Sequence, residues 1–269
     1  MAHLVDRINR YLTVFGQILK TCLIRDLSFR FNVISRFITD IAWYLVNILF
    51  FKIIYMGSTQ IYGWGKWEIM LFLGTAFVID SLHMMFFYFN VFKIPEYVRN
   101  GELDSFLLKP INPKYLISIK NLNFSSVASL IFGIVIIITS FCNLHIHISL
   151  LQLFLYIGFI LNGVIIMYFI LFSCAILSVY FIKTEGLIET FFNIFQFGMK
   201  PDIIYNYALK LVITYVIPVI VIVNFPAKLI IEGFSLMNFV WGFVVTVLMS
   251  VISSVLWKCS LKKYTGASS

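Results

Sequence analysis

Apolar residues along the chain fall into long runs that short polar segments separate. Before the first run, apolar positions recur every three or four residues from Leu4 to Leu23, with basic and polar residues between them. This spacing is typical of an amphipathic helix. Because the polar face is basic, we expect the helix to lie in the membrane interface. Residues 1–31 are therefore predicted to form a cytoplasmic interfacial helix.

Five of the apolar runs are long enough to cross a membrane as helices, which takes about 20 residues each. Small residues recur at every fourth position in the third and the last run, a pattern suited to close helix packing. The predicted spans are Val33–Tyr55, Glu68–Phe92, Leu122–Cys142, Leu150–Ile182 and Leu236–Trp257.

The segment between the fourth and the last run has two interpretations. In the first, Thr184–Asp202 is an amphipathic cytoplasmic segment and Ile203–Phe225 is the fifth span. In the second, Gly186–Met199 is a short fifth span, and Ile203–Phe225 is a hairpin entering from the outer face, interrupted at Pro218 and Pro226. Both interpretations give an even number of crossings and place both termini in the cytoplasm.

The positions of the basic residues test these two topologies. The second interpretation leaves 15 Lys and Arg residues inside and five outside. The first moves Lys200 and Lys210 inside, which gives 17 against three. Both satisfy the positive-inside rule, the first slightly better.

Composition narrows the class of protein. Apolar residues make up 61% of the 269 positions, charged residues only 12%, and the mean hydropathy is +0.97. So few charges cannot cover the surface of a soluble fold of this size, which excludes a soluble enzyme, a nucleic-acid-binding module and a disordered chain. The net charge of +8 is explained by membrane orientation. We predict one transmembrane domain over residues 32–257, followed by a cytoplasmic tail, 258–269.

Few residues offer candidate chemistry. Arg36 and Asp40 are one helical turn apart and are expected to pair, while Asp80 is an isolated acid in the second span. His145 and His147 on an outer loop do not make a metal site by themselves. Without a convergent set of titratable residues, we expect neither catalysis nor a bound metal in this chain.

The longest polar stretch, residues 93–120, contains recognisable turn signals. Asn100–Gly101 predicts a helix end, since glycine adopts the left-handed cap without strain. Asp104 or Ser105 is expected to cap a new short helix that Pro110 ends. Asn112–Pro113 then predicts a helix start, taken as the beginning of the third span.

This short helix is predicted to lie across the cytoplasmic ends of two spans. Its apolar residues, Phe106, Leu107 and Leu108, are expected to face the membrane or a partner, and Glu102 and Asp104 to face solvent. The segment can be interpreted either as a solvated connector or as a partner-docking element. Local chemistry leaves both open.

Three segments carry a resemblance to a known family. Ile94–Pro110, then Phe181–Gly186 with Pro201–Tyr205, and finally Thr214–Pro218 with Phe225–Ala227 resemble motifs of ABC-2 family permeases, the membrane subunits of ATP-binding-cassette exporters. The resemblance implies an all-α polytopic membrane protein with an N-terminal interfacial helix, six transmembrane helices and an outer re-entrant hairpin between spans five and six. It therefore favours the second interpretation above.

The resemblance also implies partners. The sequence has no phosphate-binding loop, so ATP and Mg²⁺ would bind two separate ATPase subunits. A second permease subunit is expected, preferably a related heteropartner, with a homodimer as the alternative. The helix Glu102–Lys109 would couple the ATPase to the membrane domain. The implied coupling residues are Glu96, Arg99, Gly101, Glu102, Leu103, Asp104, Phe106, Leu107 and Lys109.

A substrate path is expected along the short fifth span, where polar residues recur at helical spacing from Glu185 to Lys200. We hypothesise that Glu189, Asn193 and Gln196 line a path between two membrane subunits. Alternatively, they bond to neighbouring helices or lie in the headgroup region. The expected location is the bacterial plasma membrane. A secondary transporter or channel without an ATPase is the alternative function, a scaffold or membrane-embedded enzyme a third, and the substrate class stays open.

Overall fold

The computed structural model describes residues 2–57, 60, 63–144, 146, 148–181 and 185–264, without the side chains of 2–5, 7, 8 and 185. The described chain is all-helical. In chain order, the helices are α1 (Ala2–Ser28), α2 (Arg30–Ile54), α3 (Lys66–His83), α4 (Phe89–Phe92), α5 (Ile94–Arg99), α6 (Leu103–Leu107), α7 (Pro113–Ile119), α8 (Ser126–Leu144), α9 (Leu150–Ile176), α10 (Glu185–Gly198), α11 (Tyr207–Leu211), α12 (Val219–Ile231) and α13 (Leu236–Lys263).

Helix α1 packs one face against the segment between α7 and α8. The Arg25 guanidinium donates to the Leu122 carbonyl at 2.6 Å, and the backbone N–H of Phe124 donates to Asp26 at 2.9 Å. Near the other end of α1, the rings of Tyr11 and Tyr115 meet edge to face at 4.8 Å. Residues Ala2–Ser28 thus form one continuous helix, and its place in the membrane interface stays a prediction.

Five helices among the described residues are long and apolar enough to span a membrane, and they overlap the five predicted runs. They are Arg30–Ile54, Lys66–Arg99, Ser126–Leu144, Leu150–Val179 and Leu236–Lys263. The second has 34 residues, or about 51 Å of helix, against a hydrocarbon core of about 30 Å. It is therefore longer than a perpendicular crossing of the membrane requires.

The start of the third span differs from the prediction. Asn112 caps a helix as expected, accepting from the Lys114 N–H at 2.9 Å, but that helix is the separate α7. The chain breaks after α7, and α8 begins only at Ser126. Long-range bonds support the break, since Asn90 on α4 bonds to both the N–H and the carbonyl of Asn121.

Small residues bring the central helices together. A Cβ atom on Gly74 of α3 would lie 2.9 Å from Ile137 of α8, and one on Gly133 of α8 would lie 3.1 Å from the Val78 backbone nitrogen. Gly133 belongs to the small-residue stripe predicted for the third run. The stripe in α13 also meets a neighbour, because Thr246 donates a hydrogen bond to Asn162 of α9.

The segment before α13 is divided between α10 and a bent helix pair. Tyr207–Val216 and Val219–Ile231 meet at an angle of 102°, with Pro218 in the break. Pro218 thus interrupts the helix as predicted, whereas the interruption expected at Pro226 is wrong, since Pro226 lies inside α12. The bent pair has the form of a broken span or of a re-entrant loop.

Candidate functional site

The long second membrane helix leads directly into the first family motif, residues 94–110. Helix α5 continues it and ends at Arg99, where Gly101 follows with a φ of +72°. This left-handed glycine confirms the helix end predicted from Asn100–Gly101. The chain then reverses into α6, so that α5 and α6 lie together at the end of the long second membrane helix.

Helix α6 is fixed in place by its apolar side chains. Leu103 and Phe106 are buried, and the rings of Phe106 and Tyr97 lie 5.1 Å apart. The Lys120 ammonium stands over both rings, at 4.7 and 4.9 Å from their centroids. Partial burial lowers the pKa of Lys120. The expectation that Phe106 faces the membrane or a partner is therefore wrong, because Tyr97 and Lys120 enclose it.

The capping of α6 also differs from the prediction. Glu102, rather than Asp104 or Ser105, occupies the N-cap position, and its side chain makes no capping bond. Asp104 is half-buried beside Tyr264, which follows α13. Burial, and then this carboxylate, raise the pKa of the Tyr264 hydroxyl. The C-terminal helix thus helps to hold α6.

The exposed side of these helices forms a mixed apolar and charged surface, which we call the cytoplasmic patch after the side of the membrane predicted for it from the sequence. Leu107 is 37% exposed and Leu108 86% exposed. Of the remaining predicted coupling residues, Gly101 and Asp104 are half-exposed. The exposed residues of the patch are Glu96, Arg99, Glu102, Leu107, Leu108 and Lys109.

Helix α10 carries the predicted polar stripe on one face and buried apolar side chains on the other. Ile188, Phe191 and Phe195 are buried, whereas Glu189 and Asn193 are exposed and Gln196 is half-buried. After α10, the Lys200 ammonium lies 5.4 Å from the centroid of the Phe50 ring on α2. The exposed polar side chains therefore belong to a helix that ends beside α2. The side chain of Glu185, also in the stripe, lies outside the described residues.

A buried polar cluster joins the first three spans. The Tyr44 hydroxyl lies 3.1 Å from both Asp80 and Ser81, and Asp40 accepts from Ser129 at 3.0 Å. The expected pair of Asp40 with an arginine one turn earlier does not form within 4.0 Å, because that guanidinium stacks on the Phe89 ring instead. The sequence indicated Ser129 only as part of the small-residue stripe and gave no role to Tyr44, because the partners of both side chains lie on other helices.

An ion-pair network lies at the end of the molecule opposite to α5 and α6. Asp202 is only 3% exposed, and the ammonium groups of Lys210 and Lys228 lie 2.7 and 2.8 Å from its carboxylate. Asn224 of α12 accepts from the Asp202 backbone N–H at 2.8 Å and donates to the Gly198 carbonyl. The sequence analysis used these lysines only to orient the chain and assigned no role to Asp202.

The other candidates add no site to the described part of the chain. His145 and His147 lie outside the described residues, and the remaining His, Cys, Asp and Glu side chains form no group of three that could hold a metal ion.

The fold and the cytoplasmic patch define a multi-pass membrane protein with short helices packed at the end of its longest span. The family model described as ABC-2 family transporter protein matches residues 41–268. Because this match covers most of the sequence, the chain belongs to the ABC-2 transporter family, which confirms the resemblance of the three motifs. It is thus the membrane permease component of an ABC transporter, and its partner is an ABC ATPase subunit. No curated protein and no solved structure matches it.

Proposed function

We propose that this permease works as an exporter by alternating access, driven by ATP hydrolysis on two ATPase subunits that dock on the cytoplasmic patch. The observation that carries the proposal is the anchoring of α6, whose Leu103 and Phe106 are buried while Leu107 and Leu108 point outward. A helix held in this way transmits a push from a partner into α5 and the second span as one body. Leu103 and Phe106 then act as anchors, and the exposed residues make the contact.

The topology that we propose places both termini in the cytoplasm and α1 in the membrane interface. Helix α10 is the short fifth span, and α11 with α12 forms the outer re-entrant hairpin. The 102° bend and the nearly complete burial of α12 support this arrangement. Irregular backbone inside a membrane is tolerated where protein surrounds it.

A second permease subunit is proposed to cover the polar side of α10. Glu189 and Asn193 are exposed on an otherwise apolar helix, and such groups are unfavourable against lipid. The partner, either a related permease or a second copy of this chain, would enclose Glu189, Asn193 and Gln196 in a polar path between the two subunits. The plasma membrane of a bacterium is the proposed location.

Replacing Leu108 with glutamate is expected to break the ATPase contact. Leu108 is 86% exposed, so the change leaves the packing of the chain intact, while a charge at the centre of a docking surface costs about 2 kcal/mol or more. We expect co-purification with the ATPase to fall at least about tenfold. Leu150→Glu is the matched control, since Leu150 is 87% exposed on a different helix, α9. Equal ATPase recovery with both variants would contradict the docking assignment.

Substitution of the exposed α10 residues tests the path. Glu189→Gln and Asn193→Ala are each expected to lower the transport rate about tenfold, the effect of losing about 1.4 kcal/mol of polar interaction in the rate-limiting state, because the first change removes a charge and the second an amide. Expression and ATPase binding should stay normal. Asn143→Ala, at an exposed asparagine of α8, is the control. Normal transport by both α10 variants would overturn the path assignment.

One measurement distinguishes the ATP-driven exporter from the alternative function, a secondary transporter or channel. The complex of the full chain with a candidate ATPase, purified in lipid, should hydrolyse ATP faster when a transported substrate is added. Substrate movement that continues without the ATPase and without ATP would favour the alternative.

A further inference from the structure

A basic pocket lies where the end of α1, the start of α2 and α4 meet. Its volume is about 240 Å³, and its walls include Arg25, Arg36, Lys93 and Phe89. It lies at the same end of the long second helix as the cytoplasmic patch, so it faces the inner leaflet in the proposed topology. The pocket has no part in the proposed docking surface or substrate path.

Two of its three cations have no described acid beside them. Asp26, the one acid in the wall, already accepts from Arg25 at 3.0 Å and from the Phe124 N–H at 2.9 Å. In contrast, no described carboxylate lies within 4.0 Å of Arg36 or Lys93. The Arg36 guanidinium instead stacks 4.6 Å from the Phe89 ring centroid. The pocket therefore carries two positive charges that form no ion pair within 4.0 Å, although Arg36 interacts electrostatically with the Asp40 carboxylate one turn further along α2.

The edge of the pocket is apolar. Phe29, which lines the wall, is 65% exposed. Val33 adds an aliphatic side chain on the first turns of α2. A ligand that satisfies both parts must combine an anionic group with hydrocarbon, because a free anion would leave the aromatic edge uncovered.

We propose that this pocket binds the headgroup of an anionic phospholipid of the inner leaflet. The phosphate would contact Arg36 and Lys93, and the acyl chains would cover Phe29 and Val33. Basic pockets between membrane helices on the cytoplasmic side are suited to such headgroups, and inner leaflets are rich in them. The bound lipid joins α1 to the first two spans.

Native mass spectrometry of the full chain in detergent, titrated with phosphatidylglycerol or phosphatidylcholine, tests the proposal. The wild type should bind phosphatidylglycerol more tightly. The double variant Arg36→Gln and Lys93→Gln should lose about thirtyfold in that affinity, given the usual contribution of each of the two basic residues near a lipid surface. Its phosphatidylcholine binding should not change. The control, Lys258→Gln with Lys262→Gln, removes the same charge from exposed positions near the end of α13 and should bind like the wild type.

Further variants keep the result interpretable. Arg36→Lys should retain phosphatidylglycerol, because it preserves the charge. Lys93→Gln alone changes an exposed residue and should still weaken binding severalfold if the double variant fails to fold. Equal affinity of the wild type for both lipids, or equal loss in the control, would overturn the proposal. Displacement of the lipid by excess inorganic phosphate would also overturn it, by assigning the pocket to free phosphate.

Discussion

Replacing Gly163 with alanine is expected to destabilise the whole membrane domain. The new Cβ atom would lie 2.5 Å from the Ile222 carbonyl oxygen of α12, and both residues are buried. Backbone cannot move aside as a flexible side chain would, so α9 and α12 must separate. We expect the free energy of unfolding to fall by about 3 kcal/mol, the upper range for overpacking. Thermal unfolding in detergent and the yield of monodisperse protein measure the effect.

The same helix supplies a matched control for this prediction. Gly158, also on α9, has no atom of another residue within 4 Å of the position that a Cβ atom would occupy, so Gly158→Ala should be neutral or slightly stabilising. If the two variants unfold at the same temperature, the close approach of α9 and α12 is not what holds α12 against the bundle. The sequence of α12 explains why the two helices come so close. Pro226 has no N–H to donate to the Ile222 carbonyl four residues earlier. That carbonyl is therefore free to face Gly163.

Asp202→Ala is expected to have the second large effect. The substitution removes a buried carboxylate and leaves two ammonium groups without it, at 2.7 and 2.8 Å from its present position. Breaking a buried ion pair from one side costs about 3–5 kcal/mol. The side chain of Lys228 is only 13% exposed, so water cannot replace the lost partner fully. The bent pair of α11 and α12 should detach from α10, and the domain should unfold at lower temperature.

A neighbouring acid provides the comparison for Asp202. Glu232 lies 3.8 Å from Lys228, and its side chain is 46% exposed. Glu232→Gln keeps an acceptor for the Trp64 indole and should cost less than about 1 kcal/mol, as surface pairs do. Raising the salt concentration should leave the difference between the two variants nearly unchanged, since buried charges are screened less. If Glu232→Gln lowered the free energy of unfolding as much as Asp202→Ala does, solvent exposure would not determine how much each acid of this network contributes to stability.

Elements that depend on local chemistry could be predicted from the sequence. The length of each apolar run predicted the five spanning helices, because a membrane core requires a minimum length of apolar helix. Gly101 predicted the end of α5, and Asn112 predicted the start of a helix, since both act on backbone groups within a few residues. The motifs then identified the family.

Only the tertiary structure decided which side chains meet across helices. Phe106 is buried by Tyr97 and Lys120, and Asp40 bonds to Ser129 of α8 rather than to a neighbour on its own helix. The network around Asp202 and the basic pocket beside Arg36 likewise join residues that are distant in sequence. Hydropathy measures how apolar a segment is but carries no information on which helix it will face. The sequence by itself therefore determined the class, the family and the spans, while the packing of the helices determined the anchored patch, the ion pairs and the pocket.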